Sequence, residues 1–286
     1  MATIEEILQL ETIDADIYRG GAHASQLQRT FGGQVAGQAL VSATHTVDPA
    51  YRVHSLHGYF LRPGNPDQPT IFLVDRVRDG RSFCTRRVTG MQGGEAIFSM
   101  SASFGIPSDG LEHQDEMPPA PDPESIADPF LTRTEAQKSV FREWENFDIR
   151  IVPHEQMVRY ERFAAQQRVW FRYRHRLPDD QVFHVCTLAY MSDMTLLGSA
   201  KVAHPDANPQ SASLDHAMWF LRPFRADEWL LYDQTSPSAA DGRALTQGRI
   251  FDAAGRMVAA VTQEGLARVG RQMPVDQHAR RAQDSK

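Results

Sequence analysis

Between residues 34 and 47 a long apolar segment is rich in Ala, Val and Leu, with small residues at Gly37, Ala39 and Ala43. Such a segment predicts a helix that its surroundings pack around closely. Four β-type runs follow, over residues 53–61, 70–77, 83–91 and 96–106, with Gly-Asn-Pro, Asp-Gly and Gly-Gly as turn signals between them. The same order then returns. Residues 147–153 and 168–177 read as strands, 180–203 as a helix, and 214–221, 229–234, 244–251 and 257–268 as strands again. Ahead of the first unit, Thr3 is placed to cap a short helix bearing Ile4, Ile7 and Leu8, with Glu5 and Glu6 in its first turn. Residues 11–18 alternate loosely and read as one strand. A helix leading into a run of antiparallel strands is an α+β unit, and the chain holds two.

Short motifs support a duplication. An aromatic residue followed by Phe-Leu-Arg-Pro occurs at Tyr59 to Pro63 and again at Trp219 to Pro223. Downstream of the copies stand Asp79-Gly80-Arg81 and Asp241-Gly242-Arg243, leading to Arg87-Val88 and Arg249-Ile250. The spacing from Phe60 to Asp79 is 19 positions and from Phe220 to Asp241 is 21, as two copies of one strand and turn unit would give. The expected domains are therefore residues 1–106 and 135–270. A Pro-rich acidic linker over 107–134 joins them, and a polar tail covers 271–286.

Composition narrows the partners. At 286 residues the chain can bury two cores. Its net charge of −6 and pI near 6.0 give no general attraction to nucleic acid or an anionic membrane. Cys84 and Cys186 fall in different units, which fits a reducing compartment better than a disulfide. The acidic start, Met-Ala-Thr-Ile-Glu-Glu, is unlike a signal peptide, and no apolar run nears the roughly 18 residues of a membrane span. The ending Gln-Asp-Ser-Lys lacks a peroxisomal Ser-Lys-Leu, so a cytoplasmic location is expected.

Candidate chemistry begins at the second predicted helix. Val185, Leu188, Ala189, Ser192, Asp193 and Leu196 fall on one helical face, so a carboxylate points to the packed side. Burying an ionised carboxylate costs several kcal/mol unless partners hydrogen-bond it. An offset of 160 sets Gly33 opposite Asp193 in the first copy, so the repeat does not need the acid for folding. Asp193 could instead break the helix or pair with an arginine such as Arg222. Two more asymmetries accompany it. Gln263 sets a long amide in an apolar strand, on the face of Ala259 and Val261, and Ser213 opens the second Phe-Leu-Arg-Pro strand. On simple alternation Ser213 shares a face with Asp215, Ala217 and Trp219. Alone, Gln263 reads equally as a satisfied core amide and Ser213 as a cap.

Asp215-His216-x-Met218-Trp219-Phe220-x-Arg222-Pro223-Phe224 and the block from Phe31 to Leu40, Phe-Gly-Gly-Gln-Val-x-Gly-Gln-Ala-Leu, strongly resemble the acyl-CoA thioesterase II (TesB-like) family. His54 to Gly64 and Val261 to Gly265 resemble further blocks of it, and the likeness spans about residues 7–268. It implies a double hotdog fold, in which each half wraps an antiparallel sheet around one long helix. It also implies an acyl-CoA substrate and a catalytic set of Asp, Thr or Ser, and Gln, matched here by Asp193, Ser213 and Gln263. The trio would hold one water, with Asp193 as general base and Ser213 and Gln263 orienting it. Burial would raise the Asp193 pKa, and hydrogen bonds to its ionised form would lower it again.

Other chemistries fit less well. There is no G-x-S-x-G elbow and no H-E-x-x-H, and His54 with His57 at i, i+3 in a strand would place their rings on opposite faces. No metal and no cofactor is expected. The Phe31-Gly32-Gly33 glycines either allow close packing or bring a helix N-terminus to a CoA phosphate or the thioester. Arg62 and Arg222 read as structural partners near turns or as contacts to the CoA nucleotide. A non-catalytic acyl-CoA-binding hotdog protein is the main rival, and it gains nothing from the polar trio; a hotdog enoyl-CoA hydratase lacks its Asp and His pair near Asp193. The abundant Met, Phe and Leu are compatible with medium- or long-chain acyl groups. An open sheet edge points to a homodimer or larger homo-oligomer.

Overall fold

A computed structural model of the chain describes residues 2–129, 138 and 142–270. The last residues of the predicted linker, 130–134, and the tail from 271 lie outside the described residues. Thr3 caps helix α1 (Ile4–Leu8) in a reciprocal box with Glu6, and β1 (Leu10–Asp14) and β2 (Ile17–Gly20) follow. The sequence pattern predicts one strand here. It is a hairpin instead, because Asp16 turns the chain with φ of 59°.

Helix α2 (Gly32–Thr44) leads into β3 (Arg52–Phe60), β4 (Thr70–Asp79), β5 (Phe83–Gln92) and β6 (Glu95–Gly105). The second half has β7 (Phe147–Ile151), β8 (Ala165–Tyr173), helix α3 (Gln181–Met191), and the strands β9 (Gln210–Ser213), β10 (Asp215–Phe220), β11 (Leu230–Ala240), β12 (Arg243–Asp252) and β13 (Met257–Arg268). The strands form one antiparallel sheet in the order β1-β2-β4-β5-β6-β3-β10-β13-β12-β11-β8-β7, with β9 beside β13. About the central β3–β10 pair the two halves mirror each other, so one continuous sheet wraps both helices. This is the double hotdog arrangement.

Where the helices meet, small residues matter. A Cβ on Gly33 would overlap the Tyr190 carbonyl oxygen, and one on Gly37 would lie 3.2 Å from the Cys186 carbonyl oxygen. The backbones of α2 and α3 therefore touch almost directly. Ala36, Ala39, Leu40, Leu188 and Ala189 are buried around this contact in one core shared by the halves. Tyr190 fills the space beyond, stacked on Phe147 at 5.4 Å between ring centroids.

Residues 107–129 of the predicted linker lie along the outer face of the second half. The Trp170 indole N–H donates to the Pro121 carbonyl at 2.9 Å, and Gln114 Nε2 donates to the Gly255 carbonyl at 2.8 Å. Ile126 closes a satellite cluster with Trp170, Leu231 and Phe251. Among the described residues no helix is long and apolar enough to cross a membrane.

Candidate active site

The second helix is shorter than its apolar pattern predicts, and the difference places the acid. Regular α-helix ends at Met191; Asp193 stands in the turn after it, before a 3₁₀ segment over Leu196–Ala203. Ser192 fixes that turn. Its hydroxyl lies 3.1 Å from the Ala189 carbonyl oxygen and 2.8 Å from His216 Nε2, while its own carbonyl accepts from the Tyr232 hydroxyl at 3.2 Å. His216 is fully buried, and burial pushes its pKa down to about 4, so the ring is neutral near pH 7.

Strand β13 supplies Gln263, which alternation places on the inner face with Val261. Ser213 arrives by a different route from the one alternation predicts. In the pairing of β9 with β13, Ser213 is opposite Gly265, whereas in that of β10 with β13, Ala217 is opposite Thr262. One extra residue has entered the β9–β10 side between the two. This bulge at Leu214 reverses the side-chain phase. Ser213 therefore shares the inner face with His216, Met218 and Phe220, and not with Asp215, Ala217 and Trp219. The Glu264 N–H at the irregularity is taken up by Asp215 Oδ1 at 2.6 Å.

The three predicted residues converge. Ser213 Oγ donates to Asp193 Oδ1 at 3.0 Å, and Gln263 Nε2 donates to the same oxygen at 2.6 Å and to Ser213 Oγ at 2.7 Å. Gln263 is fully buried, and its Oε1 has no hydrogen-bond partner among the described residues. Asp193 retains some exposure. A fourth group was visible in the sequence only as a glycine. The Gly33 N–H, at the start of α2, hydrogen-bonds the Asp193 carboxylate. Gly32 is held to its size by the same acid, because a Cβ there would stand 2.6 Å from Asp193 Oδ2 and 3.0 Å from Phe60 Cζ.

Burial raises the Asp193 pKa from 3.8 to about 6, with the hydrogen bonds from Gln263, Ser213 and Gly33 acting in the opposite direction. The carboxylate is thus mostly ionised at neutral pH, yet far more basic than an exposed one. Such a group can take a proton from water. The glycine motif accordingly does two things: it permits the helices to touch and it aims a backbone donor at the acid.

Arg222 does not pair with Asp193. It donates to the Met257 carbonyl at 2.8 Å, and Arg62 makes the corresponding bond to the Ala96 carbonyl at 2.7 Å. Both tie the loop after a Phe-Leu-Arg-Pro motif to the neighbouring strand. Among the described residues no group of three or more His, Cys, Asp or Glu side chains could hold a metal ion.

Two family models match the chain. One described as acyl-CoA thioesterase covers residues 137–266, and one described as acyl-CoA thioesterase N-terminal domain covers residues 21–105. Acyl-coenzyme A thioesterase 8 of Mus musculus is 37% identical over 93% of this chain and 89% of its own length. Acyl-CoA thioesterase 2 of Haemophilus influenzae is 36% identical over 92% of this chain and 96% of its own. The crystal structure of the acyl-CoA thioesterase II TesB2 from Mycobacterium marinum superimposes with a TM-score of 0.84 at 58% identity, covering 93% of this chain and 98% of that one.

Proposed function

The chain belongs to the TesB-like acyl-CoA thioesterase family and is an acyl-CoA thioesterase, and from that premise we propose that Asp193, Ser213 and Gln263 hydrolyse medium- to long-chain fatty acyl-CoA by activating one water. The observation that carries the reading is the convergence of Ser213 and Gln263 on one oxygen of a carboxylate whose pKa is raised to about 6. No nucleophile other than water is needed. The water oxygen attacks the thioester carbon while one of its protons passes to Asp193; collapse of the tetrahedral intermediate breaks the C–S bond and expels CoA thiolate, which takes that proton back from Asp193 as the fatty acid departs. Gln263 Oε1 and Ser213 Oγ are acceptors within this cluster, suited to fixing the direction of the water O–H bonds.

The size of Gly32 keeps the approach to Asp193 open beside the N-terminus of α2. A helix N-terminus favours negative charge, which supports both the ionised acid and charge developing close by. Two free, buried thiols, Cys84 and Cys186, fit a reducing cytoplasm. We read the working form as a homodimer or larger, pairing through the sheet edges at β1 or β7. The mechanism is tested by the pH dependence of thiol release from an acyl-CoA. kcat/KM should rise about tenfold per pH unit below about 6 and level above it. A profile flat from pH 5 to 8 would count against Asp193 as the base.

A further inference from the structure

Behind the trio lies a second set of polar groups that takes no direct part in the proposed chemistry. Ser192, His216 and Tyr232 are all fully buried. The offset of 160 that relates the halves in sequence also holds in the sheet. Ala217 pairs with His57 at its centre, flanked by His216 with Gly58 and Met218 with Leu56, and Leu231 opposite Phe251 matches Ile71 opposite Met91. His216 therefore stands where the first half has Leu56, and Tyr232 where it has Phe72, both apolar and fully buried. The same offset sets Gly32 against Ser192. The first half thus builds this part of its core without a polar side chain at any of the three positions. Buried polar groups cost stability unless they are hydrogen-bonded, and His216 Nδ1 has no partner among the described residues.

All three groups meet at one turn. The Tyr232 hydroxyl donates to the Ser192 carbonyl at 3.2 Å. Room for its ring comes from Gly248, where a Cβ would stand 2.2 Å from Tyr232 Cε2; the first half has Val88 in that place, and Phe72 lies against Gly90 instead. Ser192 has one hydroxyl proton, and the Ala189 carbonyl at 3.1 Å and Met218 Sδ at 3.3 Å can only accept it. His216 Nε2, 2.8 Å from the same hydroxyl, accordingly carries the N–H and donates, which leaves Nδ1 bare. We propose that His216 and Tyr232 are positioning residues: through Ser192 they fix the turn that ends α3, and so hold the adjacent Asp193 carboxylate against Ser213 and Gln263. This inference rests on the reading of Asp193 as the base. Asp193 follows Ser192 directly, so play in the turn moves the carboxylate, and a displacement of about 1 Å can cost on the order of 100-fold in rate. Filling space alone does not account for the polar groups, since leucine and phenylalanine do that in the first half.

The first half supplies the variants for the test. In the full chain, His216→Leu and Tyr232→Phe should each lower kcat per folded molecule by about 10- to 100-fold, measured as thiol release from an acyl-CoA, with KM changed less than about twofold. A loosened turn also lets water reach Asp193. Burial is the largest influence on this acid, so the acid limb of kcat/KM, near pH 6 in the parent, should move down by about half a unit or more. That limb reports Asp193, because burial raises the neighbouring Tyr190 and Tyr232 and lowers His216, leaving all three uncharged from pH 5 to 8. His216→Gln, whose amide N–H can still donate to the Ser192 hydroxyl, should recover most of kcat and the limb of the parent. Should His216→Leu fail to fold, Tyr232→Phe removes a single oxygen and carries the same test. A lower Tm with kcat and the limb unchanged, or a Gln variant no better than the Leu one, would overturn the inference. Asp193→Asn separates the two levels. If it is inactive while these variants match the parent, only the positioning role falls; if it is active, the general-base reading falls and this inference with it.

Discussion

Replacing Asp193 by Asn should stabilise the protein, and by an amount that depends on pH. In the fold this carboxyl titrates near 6, against 3.8 for an unperturbed one. Between those values the folded state holds more protons than the unfolded state, so stability falls as pH rises through the window. Below it the penalty is absent, and above pH 6 it is complete. A difference of roughly two units corresponds to about 3 kcal/mol at most. Asn carries no charge to desolvate, but its amide N–H₂ must face either the Gln263 and Ser213 donors or the Gly33 N–H. Such an unmatched pair of donors costs about 1–2 kcal/mol. The net gain expected at pH 8 is therefore about 1–2 kcal/mol, or about 2–5 °C in Tm. Near pH 4 the parent is itself protonated, and the gain should vanish or reverse. Thermal melts of both proteins across this range test the reasoning. A variant less stable than the parent at pH 8, or a difference that does not change with pH, would refute it.

Ser213→Ala and Gln263→Ala each remove a group that positions the water while leaving the base, so kcat should fall about 10- to 1000-fold, roughly 1.4–4 kcal/mol of barrier. The double variant should lose much less than the product of the two, because both side chains serve one water; steady-state thiol release measures it. Gly32→Ala places a methyl against Asp193 Oδ2, so kcat should fall about 100-fold with the far-UV circular dichroism of the parent retained. Activity within a few-fold of the parent would show that the carboxylate can move without consequence.

Much of this was legible in the sequence because the repeat exposes what folding alone requires. The Phe-Leu-Arg-Pro and Asp-Gly-Arg motifs recur, and against that background Asp193, Ser213 and Gln263 are residues the first copy lacks. Strands with clear alternation, such as β5 and β12, were readable within a residue or two at their ends. The features that escaped depend on contacts distant in sequence. The apolar pattern runs on past Met191, yet the helix ends there, where Ser192 is tied to His216 and Tyr232. Alternation assigned Ser213 to the wrong face because the bulge at Leu214 shows only in the pairing with β13. The Gly33 N–H has no side chain to announce it. Pro-rich composition led to expecting a spacer at 107–134, but Ile126, with Trp170 donating to Pro121, holds the described part against the second half.

The central claim is that Asp193 removes a proton from water, and the most direct test is the rate of thioester hydrolysis by Asp193→Asn at pH 8, measured as thiol release under saturating acyl-CoA. An amide of the same shape cannot accept that proton. The account predicts a loss of at least about 1000-fold in kcat with acyl-CoA still bound. Hydrolysis within a few-fold of the parent would contradict it and turn attention to Glu264, the carboxylate beside Gln263 on β13.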